Sequence, residues 1–210
     1  MPFGYIGQNQ PKQKVKNAGV LSSFDISLLE KNNHATGSYE LIQSQTASGD
    51  AALNFTAIRG SEFDVHYVTF NQIKDFSAGG VNFGLRFYES GTLETASVYQ
   101  GAHIEQKSSN QNYNPKGTSY SYLFLSQGSL TTDEYTSGYC YIYYANKSDE
   151  YTYVTDHAVT EDPAGTAVFS YGGGVLPQTS TVDGFNFSTV NGETMNGVIN
   201  LYGVKKQWVL

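Results

Sequence analysis

The stretch Gly138-Tyr139-Cys140-Tyr141-Ile142-Tyr143-Tyr144 decides how this chain is read. Tyrosine stands at every second position from 139 to 143, with small or aliphatic residues between. Side chains two apart on a strand share a face. The run therefore lays phenol rings along one side of a sheet. A phenol is apolar in its ring and polar at its tip, so it suits a surface that is half buried or covered by a partner. Tyr144 breaks the alternation and reads as facing opposite to Tyr143, which would put aromatics on both faces of the strand. Shorter tyrosine runs occur at Tyr120 and Tyr122 and at Tyr151 and Tyr153, within a total of 17 tyrosines in 210 residues. This is the pattern of a rigid β scaffold that makes contacts rather than of a catalyst.

Outward from this run the chain repeats the same grammar. Strands are expected at 39–43, 53–58, 63–70, 81–88, 97–104, 119–125, 138–144, 151–158, 167–171, 183–187 and 197–204. Alternation is clear in Phe63-Val65-Tyr67 and in Phe83-Leu85-Phe87. Turn signals separate the runs: Gly79-Gly80, Ser90-Gly91, Asn114-Pro115-Lys116-Gly117, Asp162-Pro163-Ala164-Gly165 and Asn191-Gly192. Gly172-Gly173-Gly174 reads as a hinge or tight corner, because no lysine or helix follows to make it a phosphate cradle. Short strands at near-regular spacing, without intervening helices, indicate a sandwich. The expected fold is all-β, a jelly-roll-like β-sandwich over residues 38–210.

Residues 1–37 read differently, as an N-terminal extended arm with one short helix. Positions 7–17 are polar and basic, too poor in apolar surface to fold alone. Ser22 with Asp25 has capping-box spacing, Leu21 can pack back on Ile26, and Asn32-Asn33 stops the helix. The helix is too short to be stable in isolation, so it must dock. The candidate partner-binding residues follow: Lys12, Lys14 and Lys16 against an acidic surface, and Val20, Leu21, Phe24, Ile26, Leu28 and Leu29 as apolar anchors. Trp208, in Trp208-Val209-Leu210, is either a second contact or packs on the domain's own base.

Composition sets further bounds. Charged residues make up 15%, below the usual quarter. A net charge of −7 argues against general nucleic-acid binding, which needs a basic footprint. The single Cys140 excludes an internal disulfide and a multi-thiolate metal site. No apolar run approaches the roughly 20 residues needed to cross a bilayer. The segment 1–8 lacks the features of a secretory signal, so synthesis in a cytoplasm is expected.

A search for chemistry leaves no catalytic motif. There is no Gly-x-Ser-x-Gly elbow and no Walker-type loop. His34, His66, His103 and His157 share no metal spacing, though His66 and His157 could meet in space. The carboxylate pairs Asp133-Glu134, Asp149-Glu150 and Glu161-Asp162 are adjacent in sequence and point apart, unlike the opposed carboxyls of a glycosidase. Neither a cofactor nor a metal is expected. The aromatics have two functional readings, platforms for sugar rings or anchors of a protein interface, besides ordinary cross-strand packing.

Four segments resemble a known family. Gly197-Val198-Ile199-Asn200-Leu201-Tyr202-Gly203-Val204-Lys205 resembles the closing strand of virion proteins from tailed bacteriophages, marine cyanophages especially. Phe55-Thr56-Ala57-Ile58 with Phe63-Asp64-Val65-His66-Tyr67 looks like their opening strand. Leu85-Arg86-Phe87-Tyr88-Glu89-Ser90-Gly91 is similar to one of their hairpins, and Asn17-Ala18-Gly19-Val20-Leu21-Ser22 to the motif ahead of a short helix. The resemblance implies a non-enzymatic subunit of a phage virion, assembled in the host cytoplasm. Its expected partners are other virion proteins, either major capsid or neck and tail subunits. It would be a homo-oligomer, such as a trimer, and a host surface glycan is the alternative ligand. Capsid decoration is expected ahead of a fibre, since the chain shows no repetitive shaft.

Overall fold

The computed structural model describes residues 38–75, 81–109, 112–130, 134–162 and 164–205. Within them the chain is all-β, with fourteen strands in two antiparallel sheets and no helix. In chain order they are β1 (Tyr39–Asp50), β2 (Ala52–Phe55), β3 (Val65–Asp75), β4 (Val81–Glu89), β5 (Thr92–Leu93), β6 (Tyr99–Lys107) and β7 (Asn112–Tyr113). They continue as β8 (Lys116–Tyr120), β9 (Leu123–Leu130), β10 (Thr136–Tyr143), β11 (Thr152–Glu161), β12 (Ala167–Leu176), β13 (Val182–Thr189) and β14 (Met195–Val204).

The larger sheet runs β1-β14-β3-β10-β11-β12-β6-β7, with β8 also on β6. The smaller runs β2-β13-β4-β5, with β9 also on β4. The same neighbours recur in both: β1, β14 and β3 in one sheet are followed in the chain, or preceded, by β2, β13 and β4 in the other. Three ribbons thus pass from sheet to sheet side by side, which makes the sandwich jelly-roll-like.

Alternation places the core. Phe83, Leu85 and Phe87 of β4, with Phe185 and Phe187 of β13, face Val68, Phe70, Cys140, Ile142 and Val154 of the large sheet, all buried. Phe70 meets Phe83 at 5.2 Å and His66 meets Phe185 at 5.3 Å between ring centroids, across the two layers. Tyr99 is fully buried and its hydroxyl bridges the layers, accepting from the Phe87 N–H at 3.0 Å and donating to the Glu94 carbonyl at 3.2 Å. A buried tyrosine needs such partners.

Three local expectations are corrected. Residues 119–125 are not one strand: Ser121 and Tyr122 break the chain between β8 and β9. Gly172-Gly173-Gly174 is not a corner but the middle of β12, paired to β11 on one side and β6 on the other. Tyr144 does not continue β10: its left-handed backbone (φ 63°) ends the strand, and its ring lies 6.5 Å from both Tyr143 and Tyr153, on the side those rings occupy. Ser90-Gly91 is a turn as expected, with both residues left-handed, the hairpin geometry that matches strand twist.

Candidate functional site: the outward tyrosine face and its grooves

Strand register turns the outward side chains of the large sheet into rows. One row crosses Tyr202, Tyr67, Tyr141, Thr155, Gly173 and Ala102. The next crosses Asn200, Thr69, Tyr139, His157, Tyr171 and Ile104. Tyr143, Tyr153, Val175 and Gln100 flank the first, while Ser137, Val159, Phe169 and Gln106 flank the second. Cross-strand neighbours stand about 5 Å apart, so rings in these rows must touch.

They do. Tyr67 is the hub, with ring centroids of Tyr39 and Tyr141 at 4.9 Å, Tyr139 at 5.8 Å and Tyr202 at 5.9 Å. Tyr139 stacks on His157 at 5.3 Å and 15°, and His157 continues to Tyr171 at 5.9 Å. The Tyr39 and Tyr141 hydroxyls share a hydrogen bond of 2.9 Å. That bond, and then burial, pushes the Tyr141 phenol up, while burial pushes Tyr67 up. Both therefore remain protonated at neutral pH. The face is nevertheless open: Phe169 is 51% exposed, Val159 50% and Tyr153 43%.

Two depressions cut this face. One, of about 490 Å³, lies along the Tyr139–His157–Tyr171 ridge and is bounded by Tyr67, Asn71, Ser137 and Phe169. The other, of about 640 Å³, crosses Gly173, with Tyr143 and Tyr153 on one side and Lys116, Gly117 and Thr118 of β8 on the other.

The inward side of the same strands holds a feature that the sequence reading missed. Cys140, Asp156, Gly172 and His103 form one inward row. His103 Nε2 lies 2.9 Å from Asp156 Oδ2, and the two side chains are 2% and 0% exposed. The imidazole passes over Gly172, where a Cβ would come within 2.5 Å of its ring. Burial pushes the Asp156 carboxyl up, opposed by its bond to His103. Burial, and then the neighbouring Asp156, pushes the Cys140 thiol well up, so this thiol is not a ready nucleophile. The signal was present in the sequence: Asp156 has the parity of Val154 and Ala158, which belong to the core.

The remaining sequence candidates fall as follows. His66 and His157 do not meet; one points inward from β3 and the other outward from β11. Asp162 caps the β11–β12 turn, its Oδ1 accepting from the N–H of Ala164 at 3.0 Å and of Thr166 at 2.9 Å. Asp149 and Glu150 are exposed. Among the described residues no cluster of three or more His, Cys, Asp or Glu fits a metal ion, and no helix is long and apolar enough to cross a membrane. Lys12, Lys14, Lys16, Val20, Leu21, Phe24, Ile26, Leu28, Leu29 and Trp208 lie outside the described residues, as does the expected helix.

No family model, no curated protein and no solved structure matches the chain.

Proposed function

We propose that this chain is an accessory virion subunit of a tailed phage, a β-sandwich that works by contact and not by catalysis. The observation that carries the reading is the outward tyrosine face. Tyrosine is enriched at protein interfaces and supplies contact area with few rotatable bonds. Rings already packed on one another, as around Tyr67, lose little further freedom when a neighbour covers them. In this reading the sandwich decorates or cements a capsid. It docks on a major capsid neighbour through residues 1–37 and self-associates about a particle axis, closed symmetry being the rule for such assemblies. Quantitative mass spectrometry of purified virions tests this. Copy number on the scale of the major capsid protein is the expected result, and absence from the particle overturns it. Deleting residues 1–20 is expected to abolish loading while leaving a folded domain; normal loading of the truncated chain would refute the arm as anchor.

The second reading is a neck, tail or fibre component that binds a host surface glycan. The tyrosine-walled depressions beside hydroxyl and amide side chains favour it. A glycan array including host lipopolysaccharide separates the two readings: binding lost on Tyr→Ala changes supports adhesion, and a blank array removes it.

A further inference from the structure

We infer that the groove over Gly173 is a binding site for a neutral, extended oligosaccharide of pyranose rings; this deepens the glycan-binding reading above and rests on it. The groove runs across the strands, from Tyr143 and Tyr153 over Gly173 and Ala102 to Lys116 and Thr118. It spans β10, β11, β12, β6 and β8, four inter-strand steps of about 4.8 Å each. That step is close to the advance per ring of an extended β-linked glycan, so successive rings would meet successive strands.

The floor is fixed by backbone. The three glycines of β12 divide their tasks. Gly172 and Gly174 face inward, where a Cβ would strike the His103 ring at 2.5 Å or Leu123 Cδ2 at 2.4 Å. Gly173 faces outward and leaves the groove floor without a side chain, and a Cβ there would come 2.4 Å from the Val154 carbonyl oxygen. Beside it stand a threonine hydroxyl and a methyl, Thr155 and Ala102, both exposed.

The walls match the two sides of a pyranose. Tyr143 and Tyr153 bring apolar rings to the groove wall, suited to the C–H face of a sugar, and the Tyr143 hydroxyl is tied to that of Thr155 by a 3.3 Å hydrogen bond. Gln100, Thr118 and Thr155 offer neutral donors and acceptors to the equatorial hydroxyls. Among the described residues of the lining Lys116 is the one that is charged, and the chain carries a net −7, which disfavours a polyanion. No carboxylate stands among the described residues of the lining, which disfavours a cation.

The test is titration of the full-length protein with cellotetraose, chitotetraose and mannotetraose, followed by tyrosine fluorescence and amide chemical shifts, with host lipopolysaccharide as a parallel arm. Binding of at least one tetraose is expected at millimolar concentration, with shifts concentrated in β12, β6 and β8. Tyr153→Ala should weaken it about tenfold, the scale of one aromatic contact. Ala102→Trp, at an exposed position, should fill the groove and abolish binding with thermal unfolding unchanged. Saccharide binding that survives Ala102→Trp overturns the groove assignment and leaves glycan recognition standing. No binding to any tetraose or to lipopolysaccharide overturns both.

Discussion

Asp156 and His157 are consecutive residues in β11 with opposite fates. Asp156 turns inward, is sealed, and is matched one to one with His103 at 2.9 Å. His157 turns outward and lies flat on Tyr139, within a field of rings that no part of the described sandwich covers. The two faces use the same strands and the same twist, yet they obey different rules. On the inward face Asp156 and His103 share a dedicated bond, because an unpaired polar group is costly in low dielectric, while Asp156 Oδ1 and His66 Nδ1 carry that cost without a partner. On the outward face aromatics satisfy one another side by side and stay accessible. The inward face specifies the fold; the outward face is free to specify a contact.

The largest expected effect separates the faces directly. Phe187 is fully buried, edge-on to Phe55 at 5.6 Å and near Phe83 at 6.3 Å. Phe187→Ala should lose about 3–5 kcal/mol of stability, the transfer and cavity cost of a core phenylalanine. Phe169→Ala, on the outward face, should change stability by less than about 1 kcal/mol. Denaturant unfolding of the two variants checks this; equal losses would mean that the outward face is part of the core.

The next effect probes the inward polar pair. Asp156→Ala leaves a buried His103 without its partner and should cost about 3 kcal/mol. His103→Leu combined with Asp156→Val removes both polar groups and should recover most of that loss, since an apolar pair of similar volume fits a buried site at least as well. Additive losses in the double variant would show that the pair is held by shape and not by mutual need.

Much of this division was legible in advance. The parity of Tyr139, Tyr141 and Tyr143 placed their rings on one face, and the structure keeps them there, with neighbouring centroids 6.1 and 6.3 Å apart. The core of β4 follows equally from Phe83, Leu85 and Phe87. Parity failed at Tyr144, because a left-handed residue resets the alternation and nothing in a Tyr-Tyr pair announces it. Local rules failed again at Gly172–Gly174. Three glycines resemble a corner until it is known that the His103 ring and Leu123 need the space, and those residues lie far away in sequence. The groove was hidden for the same reason, since it is assembled from five strands whose order no local pattern reveals.

A third effect sets one inward histidine against solvent. His66 Nε2 donates to the Ile58 carbonyl at 2.7 Å, its Nδ1 is buried without a partner, and Phe63 and Phe185 flank the ring. Burial pushes its pKa down, so the folded protein keeps it neutral. In the unfolded chain it titrates near about 6.5 and binds the proton that the fold refuses. The stabilising difference is therefore complete above that value and is lost as pH falls toward the lowered folded pKa, with a slope of at most about 1.4 kcal/mol per pH unit. Urea unfolding between pH 7 and 5 should show this slope, and His66→Leu should flatten it.

The smallest effect is local. Asp162 holds the β11–β12 turn through the Ala164 and Thr166 amides, and Lys107 Nζ reaches its Oδ2 at 3.3 Å. The Thr166 amide foremost holds this carboxyl below the ordinary carboxylate range. Its contribution is present above the unfolded pKa and disappears as pH falls through the lowered folded value. Amide exchange at Ala164 and Thr166 should therefore accelerate in acid, beyond the intrinsic trend, while amides in the middle of β12 stay protected. Asp162→Asn retains the Oδ1 acceptor and should make exchange at both amides insensitive to acid; Asp162→Ala should open the turn already at neutral pH. If the mid-strand amides loosened together with the turn, the cap would be holding the sheet itself, and the rows that build both faces would depend on a loop at their end.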